Sequence, residues 1–266
     1  MLRGRKIMSS RTDKLLHRVL HRWRDWSMGD YRLSESPAIL EQLLGGMTNE
    51  SFLIGSGDFR AVIRVNALNT HSLGIDRDRE CALLGHLQST DCVPRLIYSD
   101  SDVQVTQLIK GRHLSLADLA NTDIQDSLET CVQRIQAITV DMPVRNYSAY
   151  IGLYSDQLAH FEGLAEIQCA ATIIDELDWT PVITHHDLIL ENIIINGQGV
   201  YFLDWEYADL GHPMIDRIKL FGRNYCEDKY PCSSIDTLET LQNGIVKLWY
   251  AVQDDPLKES TPNGNN

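Results

Sequence analysis

Residues 185–206 constrain this chain more than any other stretch. They read His185, His186, Asp187, Leu188, Ile189, Leu190, Glu191, Asn192 and then, twelve residues after Asn192, Asp204, Trp205, Glu206. Pro181 to Thr184, Ile193 to Ile195 and Val200 to Leu203 are short apolar runs that predict strands, and Asn196, Gly197, Gln198, Gly199 between the last two predict a hairpin turn. Asp187 and Asn192 therefore bracket one loop, and Asp204 leaves the end of the returning strand beside it. Three polar groups from separate positions converge on one pocket.

A carboxylate that takes a hydroxyl proton, an amide and a second carboxylate are the groups that metal-assisted phosphoryl transfer requires. Mg²⁺ prefers hard oxygen ligands and keeps waters and substrate phosphates in its octahedron, so Asn192 and Asp204 are a sufficient protein contribution. Asp187 is left to orient the acceptor hydroxyl, a role typically worth about 10²- to 10⁴-fold in rate. His185 and Glu206 flank this set as supporting residues. A His-His-Asp triplet also occurs in metal-binding hydrolases. Neighbouring residues of an extended segment point to opposite sides, however, so His185 and His186 do not suit one metal. A purely structural use of Asp187 and Asn192 as caps leaves Asp204 unexplained.

Nucleotide-dependent transfer also demands a phosphate-binding half, and the N-terminal region supplies one. Leu44, Gly45, Gly46, Met47, Thr48, Asn49 run from a glycine turn into a strand that Gly55 to Asp58 turn back; the glycines Gly45 and Gly46 let backbone approach phosphate, and Thr48 and Asn49 add donors. The returning strand carries Ala61, Val62, Ile63, Arg64, in the place of a V-A-I-K strand with Arg for Lys. Asp76 to Leu84 opens a helix whose Glu80 can pair with Arg64. Taken singly these are an ordinary turn, a solvated arginine and one charge of a mixed helix face; their order ahead of the Asp187 loop gives them a joint meaning.

Leu44 to Asn49, Val62 to Arg64, Asp76 to Glu80, His185 to Asn192 and Leu203 to Ala208 together resemble the choline/ethanolamine kinase and aminoglycoside phosphotransferase superfamily, most of all the bacterial choline kinases and the thiamine kinases. The resemblance runs from about residue 41 to residue 216. It implies an α+β, bilobal, protein-kinase-like fold: a small antiparallel sheet with one helix, then a larger, mostly helical lobe. It implies ATP and Mg²⁺ as cofactors, Asp187 as catalytic base, Asn192 and Asp204 as metal ligands, Arg64 on the nucleotide phosphates and Glu80 fixing Arg64. The adenine-binding hinge would fall near Thr106 to Ile109, with Gln107 and Ile109 among the nucleotide contacts. By the same likeness the chain divides into a basic helical extension (1–36), a nucleotide-binding lobe (37–110), a catalytic and acceptor-binding lobe (111–257) and a disordered tail (258–266).

The acceptor is less legible. The net charge is −13, yet residues 1–26 hold eight Lys/Arg against two Asp, which leaves about −19 on the rest. Such a body attracts cations and disfavours nucleic acid, so the expected partner is a small cationic alcohol. Quaternary ammonium ions sit over aromatic faces; Trp205, Tyr207 and Trp249 are the candidates, with most other aromatics in the core. Choline or ethanolamine leads, then thiamine, then an aminoglycoside. The non-enzymatic rival, a pseudokinase, is opposed by the intact Asp187, Asn192 and Asp204. A protein kinase is opposed by the lack of a long activation segment ending in A-P-E.

At 266 residues and 43% hydrophobic content the chain can bury one substantial two-lobed core. No apolar run reaches a membrane span and no cleavable signal is evident. Six cysteines without C-x-x-C or zinc spacing suit a reducing cytoplasm. Apolar periodicity predicts helices over 122–140, 154–176 and 234–252, and an amphipathic basic helix over 11–26 that packs on the small lobe. Oligomeric state is left open by the sequence.

Overall fold

The computed structural model describes residues 10–29, 32–43, 49–68, 70–229 and 234–254. Gly45, Gly46 and Thr48, the tail from residue 258 and Cys232 lie outside these. In chain order the elements are α1 (Ser10–His21), β1 (Ala38–Leu43), β2 (Glu50–Ser56), β3 (Phe59–Val65), α2 (Arg77–Leu87), β4 (Leu96–Ser99), β5 (Val103–Gln107) and β6 (Arg112–His113). There follow α3 (Thr122–Gln136), α4 (Tyr147–Ser155), α5 (Leu164–Glu176), β7 (Val182–Thr184), β8 (Ile193–Asn196), β9 (Gly199–Phe202), β10 (Asp209–Gly211), α6 (Ile215–Phe221), α7 (Arg223–Lys229) and α8 (Ile235–Asp254).

Strands β1 to β5 form one antiparallel sheet in the order β1-β2-β3-β5-β4. The side-chain period of two decides what each face does. Phe59, Ala61, Ile63 and Val65 of β3 are buried with Phe52 and Ile54 of β2 in a core that α1 closes with Leu16 and Val19. Arg64 therefore leaves β3 on the opposite face, toward α2. The basic N-terminal helix is part of this lobe: Arg11 and Arg18 reach Asp102, and Arg18 also reaches Asp100, at 3.0–3.1 Å.

The larger lobe holds two further apolar clusters. One gathers Tyr147, Ile151 and Tyr154 of α4, Ala171 and Ile174 of α5, and Leu238, Leu241 and Leu248 of α8. The other lies at the joint between the lobes, where Leu83, Leu84 and Leu87 of α2 meet Leu128 and Val132 of α3 and Ile193, Phe202 and Trp205. The hairpin β8–β9 pairs with β6, and β7 pairs with β10. Among the described residues no helix is long and apolar enough to cross a membrane.

Two helix expectations need correction. The stretch 154–176 is two helices: α4 ends at Ser155, and α5 begins only after Gly163, whose φ of +82° no side-chain-bearing residue adopts readily. The helix expected over 122–140 stops at Gln136, where Ala137 caps it and an extended segment carries the chain to Arg145.

Leu16→Ala is expected to cost about 2–5 kcal/mol of unfolding free energy, since it opens a cavity between α1 and the sheet. Arg18→Ala, which removes two ion pairs from a side chain 41% exposed, should cost about 1 kcal/mol or less. Urea denaturation of both variants checks that apolar burial, not the basic charge, seats this helix.

Candidate active site

The loop 185–192 is held by hydrogen bonds on every side. Asp216 of α6 accepts the backbone N–H groups of His185 (2.7 Å) and His186 (3.0 Å), one on each carboxylate oxygen. The buried His185 imidazole donates from Nε2 to the Leu203 carbonyl (2.7 Å), and its Nδ1 accepts the Asp187 N–H (3.3 Å). Burial lowers the pKa of His185, and the two bonds require the neutral tautomer with its proton on Nε2. His185 thereby ties the Asp187 loop to the end of the β8–β9 hairpin, as does the Leu203 N–H to Asn192 carbonyl bond (2.8 Å). His186 and Asp204 hold positive φ values of 63° and 59°. Backbone strain in non-glycine residues persists only where surrounding contacts enforce it, and it concentrates at functional sites.

Asn192 donates its amide N–H to the Asp187 carbonyl (2.9 Å) and to Asp187 Oδ2 (3.1 Å). That leaves the Asn192 amide oxygen and one Asp187 carboxylate oxygen outside this exchange. Asp204 takes Arg64 on one carboxylate oxygen (2.8 Å) and is 39% exposed, toward the cleft. Desolvation pushes Asp204 up to about 7, reinforced by the charges of Glu206, Glu80 and Asp187 and opposed by Arg64. Desolvation likewise pushes Asp187 up to about 6, with Lys219 of α6 opposing it. The site carries more negative charge than its cations balance. Asn192 and Asp204 offer one amide oxygen and one carboxylate oxygen, the donor chemistry that suits Mg²⁺ when phosphates and waters complete the shell. No trio of His, Cys, Asp or Glu among the described residues is arranged to hold a metal unaided.

A buried ionic lattice joins this site to the small lobe. Glu80, 1% exposed, accepts Arg64 at 2.6–2.7 Å and Arg77 at 2.9 Å. Arg77 also reaches Glu206 (3.0 Å) and Asn49 Oδ1 (3.2 Å), and Asn49 donates to Glu206 Oε2 (2.8 Å). The pairing of Arg64 with Glu80 matches the sequence expectation. The side chain of Asn49, expected among the phosphate donors, is instead spent on Glu206, Arg77 and the Ala67 N–H. Arg77 and Lys219 were not legible beforehand, because each sits in an ordinary charged stretch of helix.

The expected hinge residues lie at the end of β5. Gln107 closes the strand with its N–H on the Arg95 carbonyl (2.9 Å), and the half-buried Ile109 begins the connector to β6. Trp205 is no acceptor contact: it is 2% exposed, packs against the His185 ring at 4.7 Å between centroids and donates its indole N–H to Phe202. Tyr207 and Trp249 fare differently. The Trp249 indole donates to the Tyr207 hydroxyl (2.8 Å) and both are half-buried. Burial and then the Glu206 charge raise the Tyr207 pKa, and Asp187 adds to this.

Comparison with known proteins follows this geometry. Residues 40–249 match the profile of the choline/ethanolamine kinase family. The "Protein LicA homolog" of Mycoplasma capricolum subsp. capricolum is 27% identical over 186 residues, which cover 63% of this chain and 75% of that protein. The choline kinase LicA from Streptococcus pneumoniae superposes with a TM-score of 0.70 at 18% identity, over 96% of this chain and 94% of its own. Aminoglycoside phosphotransferase APH(4)-Ia in ternary complex with AMP-PNP and hygromycin B gives 0.63 at 16% identity, over 85% and 91%. These last two likenesses establish the kinase-like α+β fold.

Arg77→Leu leaves Glu80 and Glu206 buried with one guanidinium fewer, and is expected to cost about 3–5 kcal/mol in urea unfolding. Combined with Glu206→Leu it should cost less than the sum of the single changes by about 0.5–3 kcal/mol. Strict additivity would show that Arg77 does not tie the lobes through Glu206.

Proposed function

The chain belongs to the choline/ethanolamine kinase family, a family of small-molecule phosphotransferases, and on that premise we propose that it transfers the γ-phosphoryl group of ATP to the hydroxyl of choline or ethanolamine. The observation that carries this reading is the position of Asp187. Its carboxylate is bonded on one oxygen by Asn192, and its charge is felt by both Asp204 and Tyr207. Nucleotide is bound by the relative APH(4)-Ia, which supports ATP as the donor.

In this reading Arg64, held by Glu80, presents a fixed positive charge to the nucleotide phosphates. Asn192 and Asp204 hold Mg²⁺, which when bound supplies positive charge to the phosphate oxygens as their negative charge shifts during transfer. Asp187 orients the acceptor and takes its hydroxyl proton on the carboxylate. Lys219 opposes the rise that desolvation causes, which favours the ionised form that a proton acceptor needs. Tyr207 and Trp249 provide ring faces that meet a cation as π surfaces, with the Trp249 indole N–H donated to the Tyr207 oxygen.

ADP release from ATP and Mg²⁺ against choline, ethanolamine, thiamine, kanamycin and no acceptor tests the assignment. Choline or ethanolamine should raise turnover at least tenfold, and Asp187→Asn should lower it by about 10²- to 10⁴-fold. Stimulation by thiamine or kanamycin alone would reassign the acceptor. Loss of all turnover with ATP still bound would favour a regulatory binding module. Trp249→Ala should raise the acceptor KM about 2- to 30-fold, the weight of one cation–π contact, and leave the ATP KM unchanged.

A further inference from the structure

Cys92 and Cys131 are separated by 39 positions in the sequence, yet their sulfurs lie 2.8 Å apart. Both are free thiols, 1% and 7% exposed. A disulfide is about 2.04 Å long, so closing the gap needs a sulfur displacement of under about 1 Å. Neither residue has a part in phosphoryl transfer as derived above. Both are fixed from behind: the Cys92 carbonyl accepts the Phe202 N–H at 2.8 Å, the Cys92 sulfur lies 3.3 Å from the Thr90 carbonyl, and the Cys131 sulfur lies 3.6 Å from the Val200 carbonyl.

Their places in the fold give the contact a consequence. Cys92 lies in the loop that joins α2 to β4, both small-lobe elements, whereas Cys131 lies in the middle of α3, in the large lobe. The two meet inside the apolar cluster at the joint, beside Leu87, Leu128 and Val200. We propose that Cys92 and Cys131 form a reversible intramolecular disulfide, a modification site that ties the small lobe covalently to the large one at their joint.

A hydroperoxide is the class of oxidant that balances the step. The Cys92 thiolate attacks one peroxide oxygen; an S–O bond forms as the O–O bond breaks, and the leaving oxygen takes a proton as water or alcohol. The Cys131 sulfur then displaces the hydroxyl from the Cys92 sulfenic acid as water, and the S–S bond closes. Two thiols have given two electrons and two protons to one peroxide, and a dithiol returns them by exchange. The order follows the local acidity: the hydrogen bond between the two sulfurs, aided by the Arg134 guanidinium, lowers the Cys92 pKa, and that same bond together with burial raises Cys131. Cys131 keeps 7% of its surface exposed, and Arg134, one turn further along α3, is exposed.

The test uses the full chain, reduced, freed of reductant and treated with stoichiometric hydrogen peroxide. Alkylation under denaturing conditions and peptide mapping should then show a Cys92–Cys131 cross-linked peptide, two hydrogens lighter than the separate peptides and released by dithiothreitol. The oxidised protein should unfold roughly 5–15 °C above the reduced one, the shift expected for a bridge closing a loop of this length in a chain of this size. Cys131→Ala should abolish both effects and Cys169→Ala, at an exposed position, neither. Recovery of Cys92 and Cys131 as alkylated peptides while Cys169 is oxidised would overturn the proposal, as would a cross-link from either to another cysteine. Should Cys131→Ala fail to fold, the map of the unaltered chain decides alone, and none of these readouts depends on the acceptor.

Discussion

Two guanidinium groups hold the molecule's working parts together. Arg64 and Arg77 both bind Glu80, and from that shared carboxylate they diverge, Arg64 to Asp204 and Arg77 to Glu206. The two C-terminal partners are separated by one residue on the segment that leaves the β8–β9 hairpin. Taking charges out of water is costly, and near-total burial of Glu80 and Glu206 is tolerable only because each is met by a planar, permanently charged donor set. The arrangement fixes α2, β3 and the segment Asp204 to Glu206 relative to one another, so the lobes cannot shift at this point without exposing an unpaired buried charge. Arg64 is raised to well above its ordinary range by Glu80, Asp204 and Glu206, despite the burial that opposes its charge; it is a fixed cation at any accessible pH.

That lattice also explains the chemistry left open beside it. Glu80 and Glu206 are satisfied by the arginines, whereas Asp204 has one partnered oxygen and Asp187 has an amide on one oxygen. Both are pushed toward protonation by desolvation and by their acidic neighbours. Negative charge that the protein does not neutralise is held in the cleft at the cost of positive φ at Asp204. A site built to be complete by itself would have spent another arginine here. One built to receive a cation together with a phosphate-bearing ligand leaves this deficit in place, because those partners settle it on binding.

Much of this was legible in the sequence because it is contiguous. The hairpin between Asn192 and Asp204 fixes which carboxylates meet, and β-strand alternation puts Arg64 opposite the residues that pack on α1, so its pairing with Glu80 followed from order alone. What escaped was set by three-dimensional neighbours. Arg77 sits among Asp76, Asp78 and Arg79, where no pattern tells a buried clasp from a solvated helix face, and its sibling Arg79 turns instead to Asp209 at 3.0 Å. Asn49 offered the right donor chemistry for phosphate, but Glu206, 157 positions away, claims its amide. Trp205 stands between Asp204 and Glu206 in sequence, but in the turn that follows β9, after the positive φ of Asp204, its ring packs inward against His185.

The aromatic candidates separate for a physical reason that bears on what the cleft admits. Trp205 satisfies its indole on the Phe202 carbonyl inside the joint cluster, and a ring closed on both faces has nothing to offer a ligand. Tyr207 and Trp249 come from segments 42 residues apart and meet through a single hydrogen bond between their polar tips. The indole N–H is spent on the phenol oxygen, whose own O–H remains a donor, and the ring faces keep the negative potential that draws a cation. The surrounding body, with its large net negative charge, pulls in the same direction at long range. Under the proposed function this end of the cleft selects for positive charge, and Asp187 and Asn192 position the hydroxyl.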